Sequence, residues 1–156
     1  MYAYLIQHAE AKPEEEDPER SLTERGWHEA RRVAGFLAGA AGVQVERIVH
    51  SGKTRARQTA EVLAEALRPR GGVHAADGLE PMADPQLWAA RLQETEGDIA
   101  LVGHLPHLAR LASLLLCATP EREPVRFRYA GVACLERREF GAWSAGWMVI
   151  PAILGV

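Results

Sequence analysis

Three short stretches of this sequence carry side chains suited to holding an anion. The first is Gln7-His8-Ala9, the second runs from Ser51 through Arg55 to Ala60, and the third is Val102-Gly103-His104-Leu105-Pro106. Each follows an apolar run of the kind that forms a buried strand. In sheets of parallel strands, ligands bind beyond the carboxyl ends. Two histidines and an arginine gathered at one such edge suit a tetrahedral oxyanion. The guanidinium of an arginine grips such oxygens in a planar fork. A neutral imidazole is a competent nucleophile near pH 7. A second imidazole, when protonated, adds a donor and a positive charge. A helix opening at the turn after His104 would add free N–H groups that favour an anion.

The elements that must position these residues are legible in the apolar periodicity. Strands are expected at Tyr2 to Ile6, Arg47 to His50, Val73 to Ala75 and Ile99 to Val102. Helices are expected from the Ser21-x-x-Glu24 capping box to about Ala41, where Gly42 stops the helix. Further helices run from Thr54 to Leu67, from Asp84-Pro85 to near Gly97, and from Gly103-His104 to Cys117. Val132 to Arg137 and Trp147 to Ile150 read as a closing hairpin. The alternation of strand and helix predicts an α/β fold: a mostly parallel sheet with helices on both faces and a C-terminal antiparallel hairpin. The 156 residues fit a single domain spanning 1–156.

The motifs resemble those of the histidine phosphatase superfamily, in its order and over roughly two thirds of the chain. Gln7-His8-Ala9 is similar to that family's Arg-His-Gly signature. Leu22-Thr23 with Gly26 resembles its Leu-Thr-x-x-Gly helix start. Ser51 to Ala60 resembles Ser-Pro-x-x-Arg-Ala-x-Gln-Thr-Ala, and Val102-Gly103-His104 its second histidine motif. The short length, without a large insertion, is similar to SixA-type phosphohistidine phosphatases. The resemblance implies a phosphoglycerate mutase-like fold and a phosphatase that removes phosphate from phosphohistidine on a protein. His8 would be the nucleophile and carry a covalent phosphoryl group. Arg55 and His104 would complete the catalytic set and bind the phosphoryl oxygens, with Gln7 and Ser51 also in the substrate site. Glu80, in Leu79-Glu80-Pro81, and Asp84 are the candidates for a general acid.

The departures matter as much as the matches. Gln7 replaces an arginine, keeping a donor but losing the charge and the fork. Lys12, Arg20, Lys53 and Arg57 are the cations that could stand in. Ala9 replaces glycine, which matters where the backbone needs positive φ. Gly52 replaces proline, a change expected to have little effect. A weak acid site favours a phosphoramidate substrate, whose imidazole leaving group is easily protonated. Two alternatives stand beside this reading: a phosphomonoesterase acting on a small metabolite, and a catalytically weak module that binds phosphoprotein.

Composition excludes other classes. Hydrophobic residues make up 47%, charged residues 25%, and the net charge is −3, which offers nothing to nucleic acid. No apolar stretch approaches the roughly 18 residues that span a bilayer, and the N-terminus lacks a secretory signal. Cys117 and Cys134 lack metal-ligand spacing and make no disulfide framework. His104 and His107 are spaced like metal ligands, but two ligands make no site. Cys117 to Arg122 has too few intervening residues for a cysteine-dependent phosphate loop. The expectation is a cytoplasmic monomer with no cofactor and no metal, whose partner is a phosphohistidine-bearing protein of a phosphorelay or phosphotransfer system. Glu14-Glu15-Glu16-Asp17 reads as a solvated loop.

Overall fold

A computed structural model describes residues 1–155. Its centre is a six-stranded sheet built from β1 (Tyr2–Gln7), β2 (Arg47–His50), β3 (Val73–Ala75), β4 (Ile99–Gly103), β5 (Val132–Arg137) and β6 (Trp143–Val149). The strand order is β3-β2-β4-β1-β5-β6. The first four in that order run parallel, and β5 and β6 add an antiparallel flank. Helices α1 (Glu24–Ala38), α2 (Thr54–Leu67), α3 (Pro85–Glu94) and α4 (His107–Cys117) cover it.

Side-chain alternation along the strands divides the core into two layers. Tyr4, Ile6, Ile48 and Val102 face α1 and α2, meeting Ala30, Val33, Leu37 and Leu63. Ala3, Leu5, Val49 and Leu101 face the other way, meeting Trp88 and Leu92 of α3 and Leu108 and Leu111 of α4. Strands apolar on both sides read as unbroken runs, which is why β1, β2 and β4 are visible in the sequence.

The sequence misplaces several boundaries. Ser21 is not the helix cap. Its hydroxyl and amide both donate to the Asp17 carboxylate, and Thr23 caps α1 instead, accepting from the Gly26 amide at 2.9 Å. The helix ends at Ala38 rather than Ala41, capped by Gly39. The α3 helix ends at Glu94, where the Thr95 hydroxyl turns back onto the Arg91 carbonyl. The last helix begins at His107, not at His104, because Leu105 and Pro106 form a turn between β4 and α4. The second hairpin strand begins at Trp143, not Trp147. It is an edge strand that buries only its two ends, so most of it carries no apolar signal.

Candidate active site

Strand register brings the three motif segments together. Gln7 pairs with Gly103 across β1 and β4, and His50 pairs with Val102 across β2 and β4. The residues that follow these strand ends are His8, Ser51 and His104. They therefore leave the sheet side by side. The His8 and His104 rings lie 5.0 Å apart, centroid to centroid. Ser51 Oγ lies 2.6 Å from His104 Nε2. Arg55, in the first turn of α2, sits close enough for its charge to depress both histidines.

The remaining motif residues hold this arrangement rather than facing it. Thr59 Oγ1 accepts from the Ala9 amide at 2.9 Å and donates to the Arg55 carbonyl at 2.8 Å, tying the loop after β1 to α2. Gln58 Oε1 accepts from the Leu22 amide at 2.8 Å. Gly26 allows α1 to abut that same loop, since a Cβ there would fall 2.1 Å from the Glu10 carbonyl oxygen. Ala56 and Ala60 are fully buried and let α2 lie close on the sheet. Ala9 has no positive φ, so alanine is unstrained where the family signature has glycine. Gly52 is different. Its φ of +91° is closed to proline, so its substitution accompanies a different turn rather than leaving the backbone unchanged. His50 Nδ1 accepts from the Gly52 amide at 3.0 Å and holds that turn.

Burial sets the electrostatics. His8 is 6% exposed. Desolvation pushes its pKa down to about 4, an effect offset in part by its bond to the Ala9 carbonyl and reinforced by Arg55 and Arg20. His104 is pushed down to about 3, by burial first and then by His8 and Arg55. Both rings are thus neutral at pH 7. The protonated second imidazole allowed for from sequence is not the resting state. His8 Nδ1 lies 2.7 Å from the Ala9 carbonyl oxygen. A carbonyl only accepts, so Nδ1 carries the proton and Nε2 keeps its lone pair. The Arg55 guanidinium is lowered by burial and by Arg20.

The other candidates fall less directly. Gln7 is buried, and alternation sends its side chain to the α3–α4 side with Ala3 and Leu5. Its Oε1 has no hydrogen-bond partner among the described residues. Glu80 lies in the loop after β3, where one carboxylate oxygen accepts from the Gly78 amide at 2.9 Å. Among the described residues no hydrogen bond links it to His8, Arg55 or His104. Asp84 caps α3 by accepting from the Gln86 amide. The amino end of α4 is offset by three residues from His104, and its Leu108 amide is already bonded to the His104 carbonyl. Pro106 at the cap has no N–H, which removes one donor from the set expected from sequence. Among the described residues, no three His, Cys, Asp or Glu side chains converge as metal ligands.

Two neighbours escaped the sequence. The Tyr129 ring lies 5.5 Å from the His8 ring, yet nothing in Arg126-Phe127-Arg128-Tyr129 marks it. Arg20, weighed only as one of four stand-in cations, is the one whose charge depresses both His8 and Arg55. Arg57 is instead paired with Glu61 at 3.0 Å. A cleft of about 350 Å³, lined in part by Glu10, Arg128, Tyr129 and Ile150, opens beside this group.

The sequence model of the histidine phosphatase superfamily (branch 1) matches residues 3–83, just over half the chain. The chain belongs to the histidine phosphatase superfamily. That membership makes it a phosphatase, a hydrolase of phosphorus bonds. Among similar superfamily proteins is the phosphohistidine phosphatase SixA of Escherichia coli K12, 28% identical over 99% of this chain and 96% of its own. A structure of the protein histidine phosphatase SixA complexed with tungstate superimposes with a TM-score of 0.87, at 28% identity and 99% coverage of both chains. A SixA-like structure from Agrobacterium tumefaciens gives a TM-score of 0.76 at 25% identity, over 96% of this chain and 97% of that one.

Proposed function

We propose that this superfamily member removes phosphate from phosphohistidine on a partner protein of a phosphorelay or phosphotransfer system, through a phosphoryl group carried covalently on His8. The observation that carries this reading is the His8 ring. It is neutral, held by its Nδ1–H on the Ala9 carbonyl, and beside His104 and Arg55. Its Nε2 lone pair attacks phosphorus. The bond between phosphorus and the substrate imidazole nitrogen breaks as the new P–N bond forms. The departing imidazole takes a proton and leaves neutral. Water then displaces His8 from phosphorus and releases inorganic phosphate.

The other residues act on charge and position, which is most of what phosphoryl transfer requires. Arg55 supplies the fork for the phosphoryl oxygens. His104 donates to them, oriented through Ser51. Gln7 adds a neutral donor at the end of β1, and Arg20 restores part of the charge that an arginine at position 7 would bring. The similar SixA structure is complexed with tungstate, a tetrahedral oxyanion, which supports an oxyanion ligand for this fold. Glu80 has one carboxylate oxygen bonded to the Gly78 amide and forms no hydrogen bond to His8, Arg55 or His104 among the described residues, a poor arrangement for protonating an alkoxide. That favours an imidazole leaving group over an alcohol and thereby a phosphohistidine substrate, as does the name of the E. coli relative.

Incubation of the protein with a phosphohistidine-bearing protein and with an alkyl phosphate, side by side, tests the reading. Faster loss of phosphate from the former is expected. Preference for the ester points to a metabolite phosphatase, and binding without turnover points to a phosphoprotein-binding module.

A further inference from the structure

The opposite end of the sheet, at the amino ends of β1 and β4, carries an arrangement that phosphoryl transfer does not use. Tyr2 and Tyr4 alternate onto the α1 side of β1. Register pairs Tyr4 with Cys134 of β5, and Cys134 with Trp147 of β6. The rings form a continuous wall, with centroids 6.3 Å apart for Tyr2 and Tyr4 and 5.9 Å for Tyr4 and Trp147. The chain leaving α1, Ala41 to Gln44, stands opposite. Between them is a cleft of about 480 Å³. Tyr2 is 40% exposed and Trp147 is 38% exposed, while Tyr4 between them is buried, so the two outer rings are the ones open to solvent.

Two carboxylates border this aromatic wall. Asp98 accepts from the Tyr2 amide through one oxygen at 2.7 Å, which leaves the other unused. Glu136 stands across from Tyr2 in the sheet. Among the described residues neither carboxylate has an ion-pair partner. No lysine or arginine lines the cleft. Arg137, the neighbour of Glu136, points to the other face and spends its guanidinium on the carbonyls of Leu92, Gln93 and Thr95. Asp98 and Glu136 are thus the charged side chains of its lining, while Arg68 and Arg70 line an adjoining cleft that shares Asp98. Burial pushes the Cys134 thiol up to about 11, and Asp98 and Glu136 push it the same way. The Tyr4 phenol is raised by burial, then by Cys134 and Asp98.

An apolar wall alone would accept any oily surface. Aromatic faces beside carboxylates that form no ion pair select for a cation with hydrocarbon around its charge, because ring quadrupole and carboxylate attract the same sign. We propose that this cleft binds a small organic cation of the alkylammonium class, its methyl groups on the exposed faces of Tyr2 and Trp147 and its charge toward Asp98 and Glu136.

Choline and 3,3-dimethyl-1-butanol, its uncharged isostere, discriminate charge from shape. Each is titrated into the full chain at fixed ionic strength and followed by calorimetry and by backbone amide shifts. Choline is expected to saturate, with shifts centred on Tyr2, Gly42 and Trp147, and to bind about tenfold more tightly than the alcohol. The Asp98→Asn, Glu136→Gln double variant keeps an oxygen for the Tyr2 amide and should erase that preference. Trp147→Ala should weaken choline at a position where folding is not at stake, with phosphatase turnover as the control for an intact fold. Equal affinity for the two probes, an unchanged preference in the double variant, or no saturable response overturns the proposal. So does a dimer in sedimentation that covers Trp147.

Discussion

The Nδ1 nitrogen of His8 lies 2.7 Å from the carbonyl oxygen of Ala9, its neighbour in sequence. This local bond fixes the tautomer, and the tautomer fixes the chemistry. Phosphate carried by His8 should therefore sit on Nε2. The ³¹P and proton shifts of the trapped intermediate distinguish that isomer from the Nδ1 one. The label should be acid-labile and base-stable, and His8→Ala should abolish turnover. Substantial turnover in that variant, with no labelled histidine, would rule out the covalent route.

Glu80 provides a test of substrate class. Its side chain is held by the Gly78 amide and has no hydrogen bond to the paired histidines among the described residues. Glu80→Gln should leave the rate on phosphohistidine within about threefold, because the leaving imidazole needs little help with its proton. Any residual activity on alkyl phosphates should fall further, by about tenfold or more. A comparable loss of kcat/KM on both substrates would make Glu80 the general acid for the main reaction, contrary to this reading.

Acid should destabilise the fold through its buried histidines. His8, His104 and His107 are pushed down to about 4, about 3 and about 4 from an ordinary 6.5, chiefly by burial. Below pH 6.5 the unfolded chain takes up protons at these positions that the folded chain refuses. Their stabilising contribution is therefore full above pH 6.5 and falls as pH drops toward 4. Each pKa unit is worth about 1.4 kcal/mol, so urea midpoints at pH 7.5 and 5 should differ clearly. His107 is fully buried and among the described residues neither ring nitrogen has a partner. His107→Leu should reduce the pH dependence while leaving stability at pH 7.5 little changed. An unaltered slope in that variant would place the acid sensitivity elsewhere.

Much of this was legible in the sequence because several elements obey a single local rule. The β2, α2, β3 and β5 boundaries agree with the periodicity, and Asp84-Pro85 starts α3 as its residue types dictate. The motifs also fixed the order in which His8, Arg55 and His104 arrive at one edge. What failed depends on competition or tertiary contact. Ser21 looked like a cap, but Asp17 captures it and Thr23 caps instead. Position 52 looked tolerant, but its φ requires glycine. Tyr129 reaches His8 only through the pairing of β5 with β1, which no local pattern encodes. The roles of Thr59 and Gln58 became visible only once the loops they hold had positions.

Arg20 stands out among the four cations that could replace the missing arginine. Its loop brings it near both His8 and Arg55, and its Nε–H is anchored on the Lys12 carbonyl at 3.0 Å. Arg20→Ala should weaken vanadate binding by about tenfold, the scale of one charge-assisted bond. It should also relieve part of the downward shift on His8, raising the apparent pKa in the acidic limb of the kcat/KM profile. Unchanged vanadate affinity would show that Arg20 does not act on the anion, and an unmoved acidic limb that it does not act on the ring.

Gln7→Arg asks whether the chain has adapted to its unusual signature. Gln7 is buried at the end of β1 with an unpartnered Oε1, so a side chain at this position has an unmet polar atom to reorganise. A guanidinium there would restore a charge aimed at the phosphoryl oxygens. Loss of a comparable donor costs other enzymes about 10²–10³ in rate. If Arg20 already supplies part of that charge, the gain here should be smaller, about tenfold in vanadate affinity. The two positions should then be coupled. Gln7→Arg should rescue Arg20→Ala more than it improves the parent protein, because each substitutes for the other's charge. Vanadate titrations of the four proteins in this cycle measure that coupling directly. Additive effects would mean that Arg20 does not stand in for the missing arginine. A folded Gln7→Arg protein with no gain in affinity would mean that position 7 does not face the oxyanion.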